Sequence, residues 1–440
     1  MFHLAPTVTY MSTTTQTKHP SPTVDSGLSA PRARLISGRF VMMLASSFGA
    51  LTSFYLLLSV TPMYAMSAGA GSAVAGVVTG SLMLSTVLAE FASPRLMRRY
   101  GYRAVFAAGA LLLGGPALAL LTPPSVVTIV AVSIARGIGF GLNTVVIGAL
   151  VATTVPAERR GEGIGLAGVV ACVPAIVALP SGAWLAHSAG YAVVIVITAA
   201  SALAPLLAVP RLAGPAGQQT GAGPDQTETA GLLASLRSGG QLRPFLVFVA
   251  TTAPAGVVAA FLPLASGVSS SVAALGLFTQ AVTATASRWW AGRRGDRHGH
   301  AGLLVPGLLT AAAGMAILVW VSAPAALIAG TFLFGIGFGI AQNATFALMI
   351  DRAPVQQYGT ASALWNLAYD AGYGAGPAVF GVVVGHTGYP VAFALTGMLM
   401  LAALLPAVRD RAATGRRPAA PAPKAADAGT GATNRVPAAV

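Results

Sequence analysis

The pentapeptide Gly137-Ile-Gly-Phe-Gly141 occurs a second time as Gly335-Ile-Gly-Phe-Gly339, 198 residues further along the chain. Sliding the sequence on itself by the same 198 residues aligns its two halves over a long stretch without a gap. The other matches at this offset are Gly101 with Gly299, Pro156 with Pro354, Gly161 with Gly359, and Gly190-Tyr191 with Gly388-Tyr389. So many matches in one register indicate an internal repeat, which predicts two copies of one structural unit.

The composition is typical of a chain that lies mostly in a membrane. Of its 440 residues, 55% are hydrophobic and only 8% are charged, whereas a soluble domain carries about 25% charged residues. The mean hydropathy is +0.74, and the 52 glycines suit helices that pack closely in a bilayer. These values exclude a single soluble core and a disordered chain.

Residues for enzymatic, nucleotide or metal chemistry are scarce. The single cysteine, Cys172, allows neither an intramolecular disulfide nor a thiolate metal cluster. The only lysines, Lys18 and Lys424, lie in polar tails, which excludes a G-x-x-x-x-G-K-[ST] phosphate loop. All six histidines fall in tails or loops, and His298 and His300 lack a third metal ligand. We therefore expect no enzyme, no cofactor and no metal site.

Twelve stretches are long and apolar enough to cross about 30 Å of hydrocarbon, which takes about 20 residues. We number them spans 1 to 12. Their approximate limits are 40–60, 73–92, 104–121, 126–149, 164–185, 192–209, 245–264, 271–291, 302–321, 325–350, 360–385 and 390–408. The sequence therefore predicts an all-α polytopic membrane protein with six spans in each half.

The distribution of basic residues predicts the orientation. With the N-terminus inside, no outer loop contains Lys or Arg, and 24 of the 25 basic residues fall on the inner side, with Arg136 as the remainder. By the positive-inside rule, both termini are cytoplasmic and the protein lies in an inner (plasma) membrane. The net charge of +14 then reflects topology and contact with anionic lipid, and we expect no nucleic acid partner.

Polar stretches divide the chain into five segments. We predict a disordered cytoplasmic N-tail at 1–38, a first six-helix bundle at 39–209, a cytoplasmic linker at 210–242, a second bundle at 243–409, and a disordered cytoplasmic C-tail at 410–440. The N-tail lacks the apolar core of a signal peptide. Met1 and Met11 both remain open as the start of translation.

An even number of spans per repeat brings both halves in from the same side of the membrane. Parallel repeats of this kind form two bundles around a central cavity, and rocking of the bundles exposes the cavity to each side in turn. The sequence thus predicts a transporter. We expect it to function as a monomer, because one chain holds a complete pathway, although the oligomeric state stays open.

The loop after span 8 reads Gly292-Arg-Arg-Gly-Asp296-Arg297-His-Gly299-His300. It resembles the G-x-x-x-D-[RK]-x-G-[RK] signature of the major facilitator superfamily. The loop after span 2 keeps Gly101 and Arg103 of that pattern, but has Pro94 for the first glycine and Arg98 for the acid. With the twelve spans and the repeat, the resemblance covers about residues 39–409 and implies a secondary transporter.

The resemblance also implies that the two loops form an inner gate. Its candidate residues are Gly292, Asp296, Arg297, Gly299, Gly101 and Arg103. The aspartate could cap a neighbouring helix or pair with arginines. Alternatively, the arginines only hold the loops on the inner side.

Three ionisable residues within the spans are candidates for proton coupling, since charges at membrane depth are costly and face a cavity or a partner. Arg136 and Asp370 each lie about ten residues into a span, roughly 15 Å deep, and Glu90 lies nearer the inner end of span 2. Asp370 could take up and release a proton, or it could fix two helices together. Arg136 could support coupling, bind an anionic substrate, or tie helix-end carbonyls, and Glu90 could act at the gate or simply lie at the interface.

Arg136 also opens Arg-Gly-Ile-Gly-Phe-Gly, which resembles the R-x-x-x-G motif of drug/proton antiporters in the superfamily. The matching element of span 5, around Pro174 and Pro180, is degenerate. Polar residues that could line the substrate cavity are Tyr55, Asn143, Gln342, Asn343, Asn366 and Tyr369, and each could instead form a hydrogen bond between helices. The prediction is proton-coupled export of a small amphipathic compound, and the alternative is proton-coupled uptake of a sugar, amino acid or carboxylate.

Overall fold

The computed structural model describes residues 38–123, 125–154, 160–211, 239–265, 267–354 and 357–415. Nearly all of these residues are helical, and the described part of the chain contains no strand. The predicted tails before residue 38 and after residue 415, most of the 210–242 linker, and the choice between Met1 and Met11 lie outside the described residues.

The first half contains six helical crossings. Span 1 is Gly38–Ser67, and a single helix, Ser72–Gly114, contains spans 2 and 3 because its backbone breaks at Gly101. A 3-10 turn, Pro116–Leu121, extends span 3. Spans 4, 5 and 6 are Val126–Thr154, Arg160–Ser188 and Tyr191–Leu203, the last continued by the 3-10 turn Ala204–Arg211.

The second half repeats this order. Span 7 is Gly239–Phe261, continued by Leu262–Leu264, and span 8 is Ser270–His298. Span 9 is Ala301–Ile317, continued by Leu318–Trp320, and span 10 is Pro324–Asp351. Spans 11 and 12 share the helix Tyr358–Ala402, which breaks at Gly388, and Leu404–Gly415 extends span 12.

Length and hydropathy agree with a membrane location for this set of helices. Eight described stretches qualify as membrane spans, and two of them, Ser72–Leu121 and Tyr358–Asp410, are long enough to cross twice. The two other helices are Tyr191–Leu207, which is shorter, and Ser270–His298, whose hydroxyl and arginine side chains lower its hydropathy. The predicted all-α polytopic fold is confirmed.

Glycines with positive φ mark where the chain reverses between spans. Among the described residues they form three pairs 198 residues apart: Gly69 (83°) with Gly267 (78°), Gly101 (80°) with Gly299 (85°), and Gly190 (88°) with Gly388 (79°). Glycine is favoured at these points because a Cβ atom is strained at positive φ. The repeat in the sequence is therefore a repeat of backbone turns.

The shared pentapeptide packs the same way in both halves. A Cβ on Gly139 would meet the backbone of Leu113 and Gly109 in span 3, and one on Gly337 would meet the backbone of Ala311 and Gly307 in span 9. All three pairs differ by 198 residues. The glycines thus let span 4 and span 10 approach their neighbours closely, which is a packing role.

Spans 2 and 11 join the two halves along one edge. We call the side that carries the loops after spans 2 and 8 the inner side, and the opposite side the outer side. Near the outer side, the Ser72 hydroxyl donates to the Gly381 carbonyl at 2.8 Å, and Gly76 lies against the backbone of Pro377. Nearer the inner side, Phe91 packs against a cluster that includes Leu364. The pseudo-symmetric partners, spans 8 and 5, also pack together.

Candidate proton and substrate site

A pair of carboxyl groups lies where spans 2 and 11 meet. Glu90 of span 2 and Asp370 of span 11 interact through a side-chain hydrogen bond. Asp370 is 8% exposed, and Glu90 is half-buried. An ionised carboxylate only accepts hydrogen bonds, so a hydrogen bond between two carboxyl groups requires a proton on one of them. The structure therefore brings together two of the three predicted coupling residues.

Tyrosines surround this pair. Tyr55 of span 1 and Tyr369 of span 11 interact with each other between the two bundles. Tyr369 also stacks on Tyr373, with ring centroids 5.3 Å apart. Asp370 interacts electrostatically with Tyr55. Tyr55 and Tyr369, predicted as cavity residues, thus lie beside the carboxyl pair.

Further aromatic rings continue this surface toward spans 7 and 10. Trp365 of span 11 stacks on Phe248 of span 7 at 4.5 Å and meets Phe346 of span 10 edge-on at 5.2 Å. Its indole Nε1 donates to the Thr345 hydroxyl at 3.2 Å. We name Phe248, Trp365, Tyr369 and Tyr373 the aromatic wall. Sequence reasoning missed Phe248, Trp365 and Tyr373, because aromatic residues in an apolar helix do not reveal which neighbour they face.

Sequence reasoning also counted Arg288 among the inner-side charges, whereas the structure places it beside the aromatic wall. Its guanidinium lies 5.9 Å from the centroid of the Trp365 ring, and it interacts electrostatically with Tyr55. The repeat could have indicated this residue, because the offset of 198 residues aligns Arg288 with the coupling candidate Glu90.

Arg136, the third predicted coupling residue, lies elsewhere. Its Nη1 donates to the Leu113 carbonyl of span 3 and its Nη2 to the Ser53 carbonyl of span 1, both at 2.8 Å. Leu113 precedes the helix end at Gly114, where carbonyls lack helical partners. Arg136 is 1% exposed and pairs with no carboxylate among the described residues. These contacts join span 4 to spans 1 and 3, which is a structural role.

The amide candidates lie in different surroundings. With its amide oriented by its neighbours, Asn143 donates to the Phe106 carbonyl at 3.1 Å and accepts from the Ala110 N–H at 3.3 Å. These contacts with span 3 bury it to 2% exposure and are those of the alternative, a hydrogen bond between helices. A Cβ on Gly292 of span 8 would lie 3.3 Å from the amide of Asn343. Gln342 is buried in span 10, and Asn366 is exposed one turn before Asp370.

The gate motif is organised around a histidine. Because Gly295 has no side chain, the His300 ring packs against it, and His300 Nε2 lies 3.7 Å from Asp296. On the other side, His300 Nδ1 lies 3.9 Å from Asp351 of span 10. We expected Asp296 to pair with arginines or cap a helix, but within the described ranges it pairs with His300 instead.

The remaining gate candidates have simpler positions. Gly101 and Gly299 supply the positive-φ turns that end spans 2 and 8. Gly292 contacts Asn343, and both Arg297 and Arg103 are exposed on the inner side. The motif glycines therefore shape the loops.

Twelve helical spans in two parallel repeats, with ionisable and aromatic side chains where the bundles meet, define a secondary transporter. A sequence model of the Major Facilitator Superfamily matches residues 43–289 and 245–437. The chain belongs to this superfamily, whose members move small molecules across membranes and are not enzymes. A search of curated proteins found no significant relative.

Solved structures with the same fold are distant in sequence. A mutant of the nucleoside transporter NupG is 12% identical, covers 85% of this chain and 100% of its own, and superimposes with a TM-score of 0.71. A D-xylose-proton symporter is 17% identical, covers 83% of this chain and 96% of its own, with a TM-score of 0.65. At these identities the similarity concerns the fold alone.

Proposed function

We propose that this protein exports a small amphipathic organic compound in exchange for protons, by alternating access, and that Glu90 and Asp370 form its proton site. The observation that carries the proposal is the hydrogen bond between these two carboxyl groups, one on each bundle. On this proposal the protein works as a monomer in an inner (plasma) membrane, with both termini cytoplasmic.

The pair offers a direct means of coupling. A single proton can join the two carboxyl groups only while spans 2 and 11 are close at this point. When the bundles rock apart, the hydrogen bond breaks and each carboxyl group is left to water or to substrate. Proton binding and bundle movement are therefore linked. A ligand that binds one conformation more tightly than another shifts the equilibrium toward the conformation that it binds.

The aromatic wall supports an amphipathic substrate. Trp365 and Tyr369 are partly buried rings beside a few polar groups, and the buried rings of Phe248 and Tyr373 pack behind them. Apolar rings with a few polar groups are the usual lining of a site for an organic molecule. A sugar site needs more hydrogen-bonding groups than the exposed Asn366 and the buried Gln342 supply. Uptake of a sugar, amino acid or carboxylate by symport remains the alternative.

Proton movement in inside-out vesicles tests the proposal. With an acidified lumen, addition of a transported compound should release protons from the lumen, and a panel of dyes, antibiotics, sugars and amino acids would identify the compound. Asp370→Asn should abolish the release while substrate binding persists. Asp370→Glu, which keeps a carboxyl group, is the matched control and should retain part of the flux.

Three results would count against the proposal. An unchanged proton signal in Asp370→Asn would make Asp370 a structural residue. Transport of a bound compound without any proton movement in the wild type would mean that another ion or no ion is coupled. In the symport alternative, substrate and protons leave the lumen of an inside-out vesicle together. Lumen alkalinisation that occurs only when the compound is loaded inside the vesicles would therefore select symport.

A further inference from the structure

Arg288 is a charge inside a membrane span that no carboxylate of the described residues neutralises. It lies on span 8, ten residues before the helix ends at His298, and its side chain is exposed. Among the described residues it forms no salt bridge and no hydrogen bond. Its neighbours include the Trp365 ring and Tyr55. Charges at this depth are costly unless they meet a partner.

The repeat shows why Arg288 lacks a partner. The offset of 198 residues relates Glu90 to Arg288 and Cys172 to Asp370. The contact between Glu90 and Asp370 at spans 2 and 11 therefore corresponds to Arg288 and Cys172 at spans 8 and 5. On the first edge the two positions hold carboxyl groups, but on the second edge the equivalent positions hold a guanidinium and a thiol.

The surroundings of Arg288 also fit a ligand. Its guanidinium lies over the Trp365 ring at 5.9 Å, within cation–π range. A guanidinium can in addition donate two N–H groups to one carboxylate in a bidentate contact. Arg136, the other arginine within the spans, is 1% exposed and bound to two backbone carbonyls.

We propose that Arg288 binds the carboxylate of an aromatic substrate whose ring packs against the aromatic wall. The assignment rests on the proposed transport function and names the substrate class. It makes Arg288 a specificity residue and leaves Glu90 and Asp370 to the proton. A neutral compound of the same shape loses the charge-assisted contact, which corresponds to roughly ten- to a hundredfold in affinity.

Calorimetric titration of the purified full-length protein tests this site without any transport step. The probes are aromatic carboxylates such as 4-phenylbutyrate and 2-naphthoate, each paired with its uncharged amide. The wild type should bind the carboxylate of a pair at least tenfold more tightly than the amide. Arg288→Gln and Arg288→Met should remove that preference while affinity for the amide stays. Arg293→Gln removes a charge five residues away, where the guanidinium lies 3.9 Å over the Trp289 ring, and should leave the preference intact.

Three outcomes would overturn the assignment: a wild type that binds no carboxylate of the panel better than its amide, an Arg288 variant that keeps the preference, or loss of the preference in Arg293→Gln. The proposed function fails separately. Carboxylate binding that depends on Arg288 in a protein that moves no protons contradicts coupling through Asp370 but not the anion site. Proton-coupled transport of neutral compounds alone contradicts the anion site but not the coupling.

Discussion

Gly76 lies where spans 2 and 11 meet near the outer side, and a methyl group there should push the two bundles apart. An alanine Cβ at this position would lie well inside van der Waals distance of the Pro377 carbonyl oxygen and 3.2 Å from the Ala378 Cα. Both are backbone atoms that cannot rotate away. Overpacking of this kind costs about 1–3 kcal/mol, and here the cost falls on the state in which the outer side is closed. Gly76→Ala should therefore shift the balance toward opening on the outer side by about 5- to 150-fold.

The single cysteine supplies a native reporter for this shift. Cys172 is partly buried and interacts with Tyr55 at the centre of the molecule, so its access to water should follow the state of the bundles. Labelling by a membrane-impermeant maleimide would be followed in intact cells for the outer side and in inside-out vesicles for the inner side. In Gly76→Ala, the labelling rate from outside should rise and the rate from inside should fall.

Gly71→Ala is the matched control, because a Cβ there meets nothing within 4 Å and its φ of −75° suits any residue. Gly80→Ala places its Cβ 3.2 Å from the Ala378 side chain and should give a smaller rise than Gly76→Ala. Equal labelling rates in folded Gly76→Ala and Gly71→Ala would refute the reasoning that this contact holds the outer side closed.

Three further outcomes are expected. Arg136→Leu leaves two backbone carbonyls without their donors, each worth about 1–3 kcal/mol, so thermal unfolding in detergent should shift down by several degrees; normal unfolding with lost proton flux would instead support a coupling role. Gly139→Ala and Gly337→Ala should lower the unfolding temperature by similar amounts, because each Cβ meets equivalent backbone atoms, and a clear inequality would contradict equivalent packing. Glu90→Gln combined with Asp370→Asn should impair proton flux no more than either change alone, since both remove one shared site, and additive losses would show two independent sites.

The fold could be predicted because its determinants are local in the chain. A span is an apolar stretch of sufficient length, and a reversal is a glycine that adopts positive φ, as at Gly101 and Gly388. Both features can be recognised without knowing what the helix packs against. The repeat adds evidence, because the positions of the spans and turns in one half predict those in the other half.

The site was less predictable because its contacts join residues far apart in the chain. The sequence around Glu90 does not indicate that it lies beside Asp370, which is 280 residues later in the chain. That contact forms only when the two bundles pack together. Asn143 is a second example. A polar residue on span 4 could face the cavity or the adjacent helix, and hydrogen bonds to the backbone of span 3 decided for the helix.

The two halves agree where they pack and differ where they carry charge. The turn glycines and the pentapeptide glycines keep equivalent contacts in both repeats, because two bundles that rock against each other need the same rigid frame. By contrast, Glu90 corresponds to Arg288 and Asp370 to Cys172. A symmetric set of carboxyl groups would give two proton sites on opposite edges, and nothing would separate proton from substrate. If the two proposed sites are correct, replacing one pair by an arginine and a thiol leaves a single proton site on one edge and an anion site on the other, as coupling a proton to a different ligand requires.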